Sequence, residues 1–201
     1  MAFFKSVWER SKALTVSPVE TWETVKLEDS SVPELLREYL FPGAFIPTAA
    51  SFVGRWIIGI SIPFWGVYHF SFGSALLIAL FEYLFFVLWV WLSGRLITAL
   101  AARFDSLDDE TTAMKLALFS ILPFWTAGAL NVIPAFHLLV LIFGIYCLYI
   151  FYHGLPVLME TPADKVLPFA LLTVAGALII YAVSTAILSG IAGVFGPNFH
   201  H

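Results

Sequence analysis

The chain has 201 residues, of which 60% are hydrophobic and 12% are charged, and its mean hydropathy is +0.91. A single soluble domain of this length cannot hide so much apolar surface, so the composition excludes a water-soluble fold and indicates a lipid environment. The net charge of −4 gives no sign of a nucleic-acid partner, and a single cysteine, Cys147, excludes an internal disulfide.

Region 1–38 mixes acidic and basic residues and is predicted to be cytoplasmic. Ser17-Pro18-Val19-Glu20 and Ser31-Val32-Pro33-Glu34 each place a capping hydroxyl, a proline and a carboxylate at the spacing of a helix start. We therefore expect two short capped helices here. Residues 3–14 interleave apolar and basic side chains, which predicts an amphipathic helix that lies on the inner leaflet or packs against the cytoplasmic loops.

Five apolar runs are long enough to cross a bilayer core of about 30 Å, which takes about 20 helical residues. The sequence thus predicts an all-α, polytopic transmembrane helical bundle with five spans in residues 39–196, and a short outer tail at 197–201. The segment Gly54–Ser74 is rich in Trp and Tyr, so it either lies at the outer interface or belongs to a span. The predicted spans are Tyr39–Ile62, Ala75–Leu100, Ala113–Ile133, Ala135–His153 and Val166–Gly190.

The basic residues predict the orientation of these spans. With the N-terminus in the cytoplasm, every Lys and Arg except Arg55 falls on the cytoplasmic side, as the positive-inside rule requires. Five spans then place the C-terminus outside.

Glu82 is the most unusual polar residue of the predicted spans, because a lone ionised carboxylate inside a bilayer is costly. Arg55 lies in the same outer half, so an ion pair between the two is one interpretation, and protonation of Glu82 is the other. A pair that locks the first two spans together is a structural role, whereas a proton or cation pathway is a functional one.

The last predicted span carries a helix-packing face. Ala182, Ala186 and Gly190 recur every four residues, and small residues at this spacing let helix backbones approach closely in lipid. The partner is another helix of this chain or a second copy, and packing within the chain is the preferred interpretation.

No residue pattern points to catalysis. His137 and His153 are about 24 Å apart on one helix, too far to share a metal ion. Known hydrolase, metalloprotease and phosphate-binding patterns are missing from the sequence, so we expect no catalytic residues, no metal and no cofactor. The acidic residues Asp105, Asp108, Asp109, Glu110, Glu160 and Asp164 instead predict a negative cytoplasmic surface, which is a solvated loop region or a site for protein docking.

Nine positions follow each other in a characteristic order along the chain: Pro18, Trp22, Pro42, Lys115, Pro123, Pro134, Tyr146, Gly154 and Pro156. Their order resembles a known family, the Yip domain of Ypt/Rab-interacting multi-pass membrane proteins. The resemblance covers residues 17 to about 190 and agrees with five spans and a cytoplasmic N-terminus.

The resemblance implies a non-enzymatic integral membrane protein that acts through helix packing and a cytoplasmic interaction face, in membrane organisation or traffic. Eukaryotic members carry a longer N-terminal region and bind prenylated Rab GTPases. This chain looks like the short bacterial branch, which implies a multi-pass protein of the cytoplasmic (inner) membrane. The expected partners are membrane lipids and a protein partner or homo-oligomer. The alternative is a small transporter or channel component with a polar path through Glu82 and Arg55.

Overall fold

The computed structural model describes residues 2–62, 66–133 and 136–195, and this part of the chain is a helical bundle with one small β-hairpin. Its helices are α1 (Ala2–Val16), α2 (Pro18–Leu27), α3 (Val32–Leu35), α4 (Phe41–Val53), α5 (Phe72–Ala101), α6 (Glu110–Ala127), α7 (His137–Leu158) and α8 (Val166–Phe195). The antiparallel strands β1 (Ile60–Ile62) and β2 (Gly66–Tyr68) lie between α4 and α5.

Four helices are long and apolar enough to cross a membrane, and they correspond to the last four predicted spans. With the 3₁₀ turns that extend α5 and α6, they cover Phe72–Phe104, Glu110–Val132, Leu138–Leu158 and Val166–Ile187. The predicted all-α class and the membrane environment of the chain are therefore confirmed.

The first predicted span, Tyr39–Ile62, is not among these four helices. The backbone is helical from Val32 to Ile58, but π-helical turns at Leu36–Leu40 and Gly54–Ile58 flank α4, and Pro47 lies inside it. A proline removes a main-chain donor and a π-helical turn interrupts the regular bonding pattern, so this helix is less regular than the other four.

The end of that predicted span was also placed too far along the chain. Gly59 has a φ of +80°, a conformation that glycine adopts readily, and it ends the helix before β1. Ile60 pairs with Tyr68 in the hairpin. A short apolar run is compatible with a helix or a strand, so its composition alone did not reveal the hairpin.

α6 is the central helix of the bundle, because α1, α4, α5 and α7 all pack against it. Two glycines allow α5 and α4 to approach α6 closely. A Cβ at Gly94 of α5 would come within 2.9 Å of Met114, and one at Gly43 of α4 would come within 2.9 Å of Trp125. On the far side of α5, α8 packs against it, and the Trp89 indole donates a 2.8 Å hydrogen bond to the Ala177 carbonyl.

α1 packs against α6, a contact that the sequence analysis did not predict. Val7, Ser11 and Leu14 form its buried stripe, and the hydroxyls of Ser11 and Thr126 lie 2.6 Å apart. Thr126 is one residue before the end of α6, so α1 lies away from the loop in which α6 begins. The apolar stripe was readable from the sequence, but the surface that covers it was not.

Candidate functional site

Residues that lie far apart in the sequence meet around α2. Trp22 is fully buried, and its indole Nε1 donates a 3.0 Å hydrogen bond to the Ile150 carbonyl of α7. A Cβ at Gly154, one turn further along α7, would come within 2.9 Å of the Trp22 ring and 2.5 Å of Leu116. A residue without a side chain at position 154 therefore permits the contact between α2 and α7.

Lys115 of α6 reaches the C-terminal end of α2. Its side chain is only 6% exposed, and its Nζ donates a 3.2 Å hydrogen bond to the Val25 carbonyl and a second one to the Glu28 carbonyl. The last carbonyls of a helix lack partners within the helix and carry the negative end of its dipole. The buried ammonium thus caps α2, and these hydrogen bonds offset the cost of burying its charge.

Tyr146 fixes the other end of the hairpin formed by α1 and α2. Its hydroxyl donates a 2.9 Å hydrogen bond to the Thr15 carbonyl, next to the last residue of α1. Trp22, Lys115, Tyr146 and Gly154 are all motif positions, and we call these four residues the α2 seat.

Arg10 strengthens the same contacts, and the sequence analysis assigned it no such role. Its guanidinium pairs with Glu28 and lies 5.1 Å from the centre of the Phe119 ring. Arg10 follows Val7 by three residues and precedes Leu14 by four. It therefore lies on the helix face that is buried, which is the signal that could have identified it.

The loops between α5 and α6 and between α7 and α8 form one surface with the end of α2. The Leu107 amide donates a 2.7 Å hydrogen bond to the Met159 carbonyl, and the hydroxyls of Ser106 and Thr161 lie 2.9 Å apart. We call this surface, residues 102–109 and 159–165 with the C-terminal end of α2, the loop face.

Ion pairs at the loop face also join different segments. Lys26 of α2 donates a 2.8 Å hydrogen bond to Glu160, and Lys165 pairs with Asp105. The hydrogen bond and the positive charge of Lys26 hold the pKa of Glu160 below its usual value. Because these pairs are exposed, each contributes little stability, and they serve mainly to align the segments.

The predicted acidic residues are placed together at or beside the loop face. Asp109 caps α6 through a 2.7 Å hydrogen bond from the Thr112 amide, and hydrogen bonds from Thr112 lower the pKa of this carboxyl. Glu110 pairs with Arg95 at 2.7 Å. Asp108 and Asp164 are exposed, and neither forms an ion pair with any other residue that the structure describes.

Arg55 and Glu82 form a bidentate pair between the end of the α4 helix and α5. Nη1 donates a 2.8 Å hydrogen bond to Oε2, and Nη2 donates one to Oε1. The side chains are 21% and 13% exposed. Glu82 is ten residues after the start of α5, about 15 Å along the helix axis. In this arrangement each charge neutralises the other, and the pair fastens α4 to α5.

The predicted helix-packing face of α8 is exposed. Ala182, Ala186 and Gly190 all face away from the bundle, and a Cβ at Gly190 would meet no atom within 4 Å. We preferred the interpretation that this face packs against another helix of the chain. The described residues do not show such packing.

The prolines among the motif positions have local roles in the helices. Pro18 begins α2, where a missing amide costs nothing. Pro42 instead lies within the continuous helix from Val32 to Ile58, two residues after the π-helical turn Leu36–Leu40. Pro123 and Pro156 lie inside α6 and α7, and α7 continues past Gly154 to Leu158. The predicted span Ala135–His153 therefore ends five residues before the helix does. Pro134 lies outside the described residues.

His153 packs against Tyr149 and Tyr152, with ring centres 4.4 Å and 5.6 Å away. The side chain of His137 is not among those the structure describes. Within residues 2–62, 66–133 and 136–195, no three His, Cys, Asp or Glu side chains are close enough together to hold a metal ion.

Helices of this length and hydropathy, packed around a central helix, define the chain as an integral membrane protein. The family model described as the Yip1 domain matches residues 12–186, which includes the whole α2 seat. The chain belongs to this family, and the resemblance stated from the sequence is confirmed. Comparison with curated proteins and with solved structures gives no match.

Proposed function

We propose that this chain is a non-enzymatic membrane scaffold whose loop face binds a protein partner in membrane organisation or traffic. The observation that supports this most directly is that three separate segments are joined into one polar surface by main-chain and side-chain hydrogen bonds. A surface of fixed shape loses little conformational entropy on binding. Its free carboxylates, Asp108 and Asp164, favour a partner that is basic at the contact.

The proposal includes five spans, a cytoplasmic loop face and a location in a bacterial inner membrane. The helix from Val32 to Ile58, which precedes the four long helices in the chain, supplies the additional span. Its length of about 40 Å is sufficient for a bilayer. The positive-inside rule supports the orientation, because Arg103 and Lys165 lie at the loop face and Arg55 near the opposite end. Reporters fused at residues 1 and 201 should appear in different compartments, and reporters in the same compartment would contradict the topology.

The partner proposal is tested by quantitative affinity purification from the native membrane. The double variant Asp108→Lys/Asp164→Lys reverses the free charges of the loop face, and it should reduce recovery of the partner several-fold. The control is Glu9→Lys, an exposed charge reversal on α1. Partner recovery that is unchanged in the double variant, or that falls equally in both variants, contradicts a role for the loop face.

A second copy of the chain is a further partner that we propose, because the exposed Ala182, Ala186 and Gly190 would allow the close approach of another helix. Light scattering in detergent should show a dimer that Ala186→Leu converts to a monomer. A monomeric wild-type protein would count against this part of the proposal.

The alternative function, a transporter or channel component, requires a polar path through Arg55 and Glu82. The bidentate geometry supports a locked pair, because both charges are already satisfied. Ion or proton flux into liposomes tests the alternative. Flux that is lost in Glu82→Gln while the fold is retained would favour the transport role over the scaffold.

A further inference from the structure

A cavity of about 500 Å³ lies between α5, α6, α7 and α8, within the size range of small-molecule sites. Ile97, Ala117, Phe124, Cys147 and Phe151 are among the side chains that line it, and nearly all of its surface is apolar.

The cavity opens between α7 and α8, which make few direct contacts with each other. Its inner lining is closed, since Ala117 and Cys147 are buried, but Ile145 of α7 is 70% exposed and Leu178 of α8 is 58% exposed. Both helices are candidate membrane spans, so the opening faces the hydrocarbon of the bilayer. The molecules available at this opening are therefore lipids.

Two hydroxyl groups line this apolar cavity without a hydrogen-bond partner. Ser120 of α6 is 6% exposed and Thr173 of α8 is 3% exposed, and neither hydroxyl oxygen finds a partner among the described residues. A buried hydroxyl without a partner is costly, so a ligand that accepts its hydrogen bond would recover that cost.

The position of Thr173 along its helix matches the polar part of a lipid. Thr173 is seven residues into α8 and Ser120 ten residues into α6, about 10 Å and 15 Å from the helix starts. α8 has 30 residues and is about 45 Å long, comparable to a bilayer with its headgroups. Both hydroxyls therefore lie in the half of the bundle nearer the loop face. Thr173 is just inside the region of the ester groups, and Ser120 is about one helical turn deeper, near the middle of its span.

We propose that one acyl chain of a glycerophospholipid occupies this cavity, and that its ester carbonyl accepts a hydrogen bond from Thr173, the hydroxyl nearer the headgroups. The chain fills the apolar volume, and the carbonyl satisfies the Thr173 hydroxyl. The headgroup remains in the leaflet next to the loop face. This site does not depend on the partner that the loop face binds.

Photo-crosslinking tests this site with the full-length chain in vesicles of phosphatidylethanolamine and phosphatidylglycerol. The vesicles carry a trace of phosphatidylglycerol with a diazirine on one ester-linked acyl chain. Crosslinks should be enriched about fivefold or more on the cavity-lining peptides of α7 and α8, relative to the exposed stripe Leu80, Leu84 and Leu88 of α5. Equal labelling of all lipid-exposed helices would overturn the proposal.

A larger side chain at position 144 would fill the cavity. A Cβ at this position would meet Phe124 at an ordinary contact distance of 3.4 Å, so Gly144→Leu should extend into the cavity and abolish the enrichment. Ala175→Leu is the control, because Ala175 is exposed on α8 outside the cavity lining. Enrichment that persists in a folded Gly144→Leu protein would overturn the proposal.

The Thr173 hydroxyl is tested by the near-isosteric variant Thr173→Val, together with an ether-linked probe that lacks the carbonyl. Wild-type protein should capture the ester lipid about fivefold better than the ether lipid, and the Thr173→Val variant should capture both equally. Equal capture of both lipids by wild-type protein would overturn the assignment of the carbonyl.

Discussion

Two sides of the same bundle are built in opposite ways. On the side of α2, Trp22, Lys115 and Tyr146 donate hydrogen bonds to carbonyls on other helices. The missing side chain at Gly154 allows α2 to contact α7 closely. On the side of α7 and α8, the helices diverge around a cavity whose two hydroxyls lack partners among the residues described. Long-range hydrogen bonds thus fix the N-terminal hairpin, whereas the other side retains space for a lipid.

Four of the nine matching positions named from the sequence form the α2 seat, and none of these four lines the cavity. These four residues attach the N-terminal hairpin to the bundle, and the predictions below measure how strong that attachment is.

The largest effect is expected from Trp22→Ala. Truncating a fully buried tryptophan should lower the free energy of unfolding by about 3–5 kcal/mol, because packing and the bond to Ile150 are both lost. Reversible titration with SDS measures the change. Trp8→Ala is the control, since Trp8 is 58% exposed, and it should leave stability nearly unchanged. Similar losses for both variants would mean that α2 is not held as described.

Lys115→Met should cost about 1.5–3 kcal/mol, because the carbonyls of Val25 and Glu28 lose a charged donor. The same titration measures it, and limited proteolysis should cut sooner between α2 and α3. Lys26→Met removes a lysine that is largely exposed and should have a much smaller effect. The reverse order of the two effects would contradict the capping role.

A pair of glycine variants compares the two sides directly. Gly154→Ala forces a Cβ against Leu116 and Trp22 and should cost about 1–3 kcal/mol, the range for overpacking. Gly144→Ala adds the same methyl group at the cavity, where the nearest atom is 3.4 Å away, and should be close to neutral. Equal costs would show that the cavity side is packed as tightly as the α2 seat.

The smallest effect concerns pH at the loop face. Because Lys26 lowers the pKa of Glu160 in the folded state, the stability that this pair contributes is present above the unfolded pKa, which is about 4.3. It is lost as the pH falls through the lower, folded value. The stability difference between wild-type protein and Lys26→Met should therefore shrink in this acidic range, and a difference independent of pH would contradict the pairing.

The four long spans could be predicted because each is a long apolar run bounded by charge or turn residues. The irregular parts could not. The π-helical turns on either side of α4 contact distant segments, the first turn α1 and the second α5. Ile60–Ile62 form a strand although their composition suits a helix equally well. Distances between residues of one helix are readable from a sequence, whereas contacts between distant segments are not.

The candidate site shows the same limit. The motif positions Trp22, Lys115, Tyr146 and Gly154 were identified, but their convergence on α2 was not, because it depends on the path of α1 across the bundle. The charges of Arg55 and Glu82 did suggest a contact, because a charged side chain in lipid needs a partner of opposite charge. Ser120 and Thr173 gave no signal, because isolated hydroxyls are common in membrane helices.

The hydrogen bond from the Leu107 amide to the Met159 carbonyl has one more consequence. This hydrogen bond joins main-chain atoms of the two loops, so it does not depend on which side chains stand at these positions. Neighbouring residues in both loops can therefore be exchanged while the frame that presents them stays in place. Such a frame can acquire a new binding preference through a few surface substitutions, without any change to the helices beneath it.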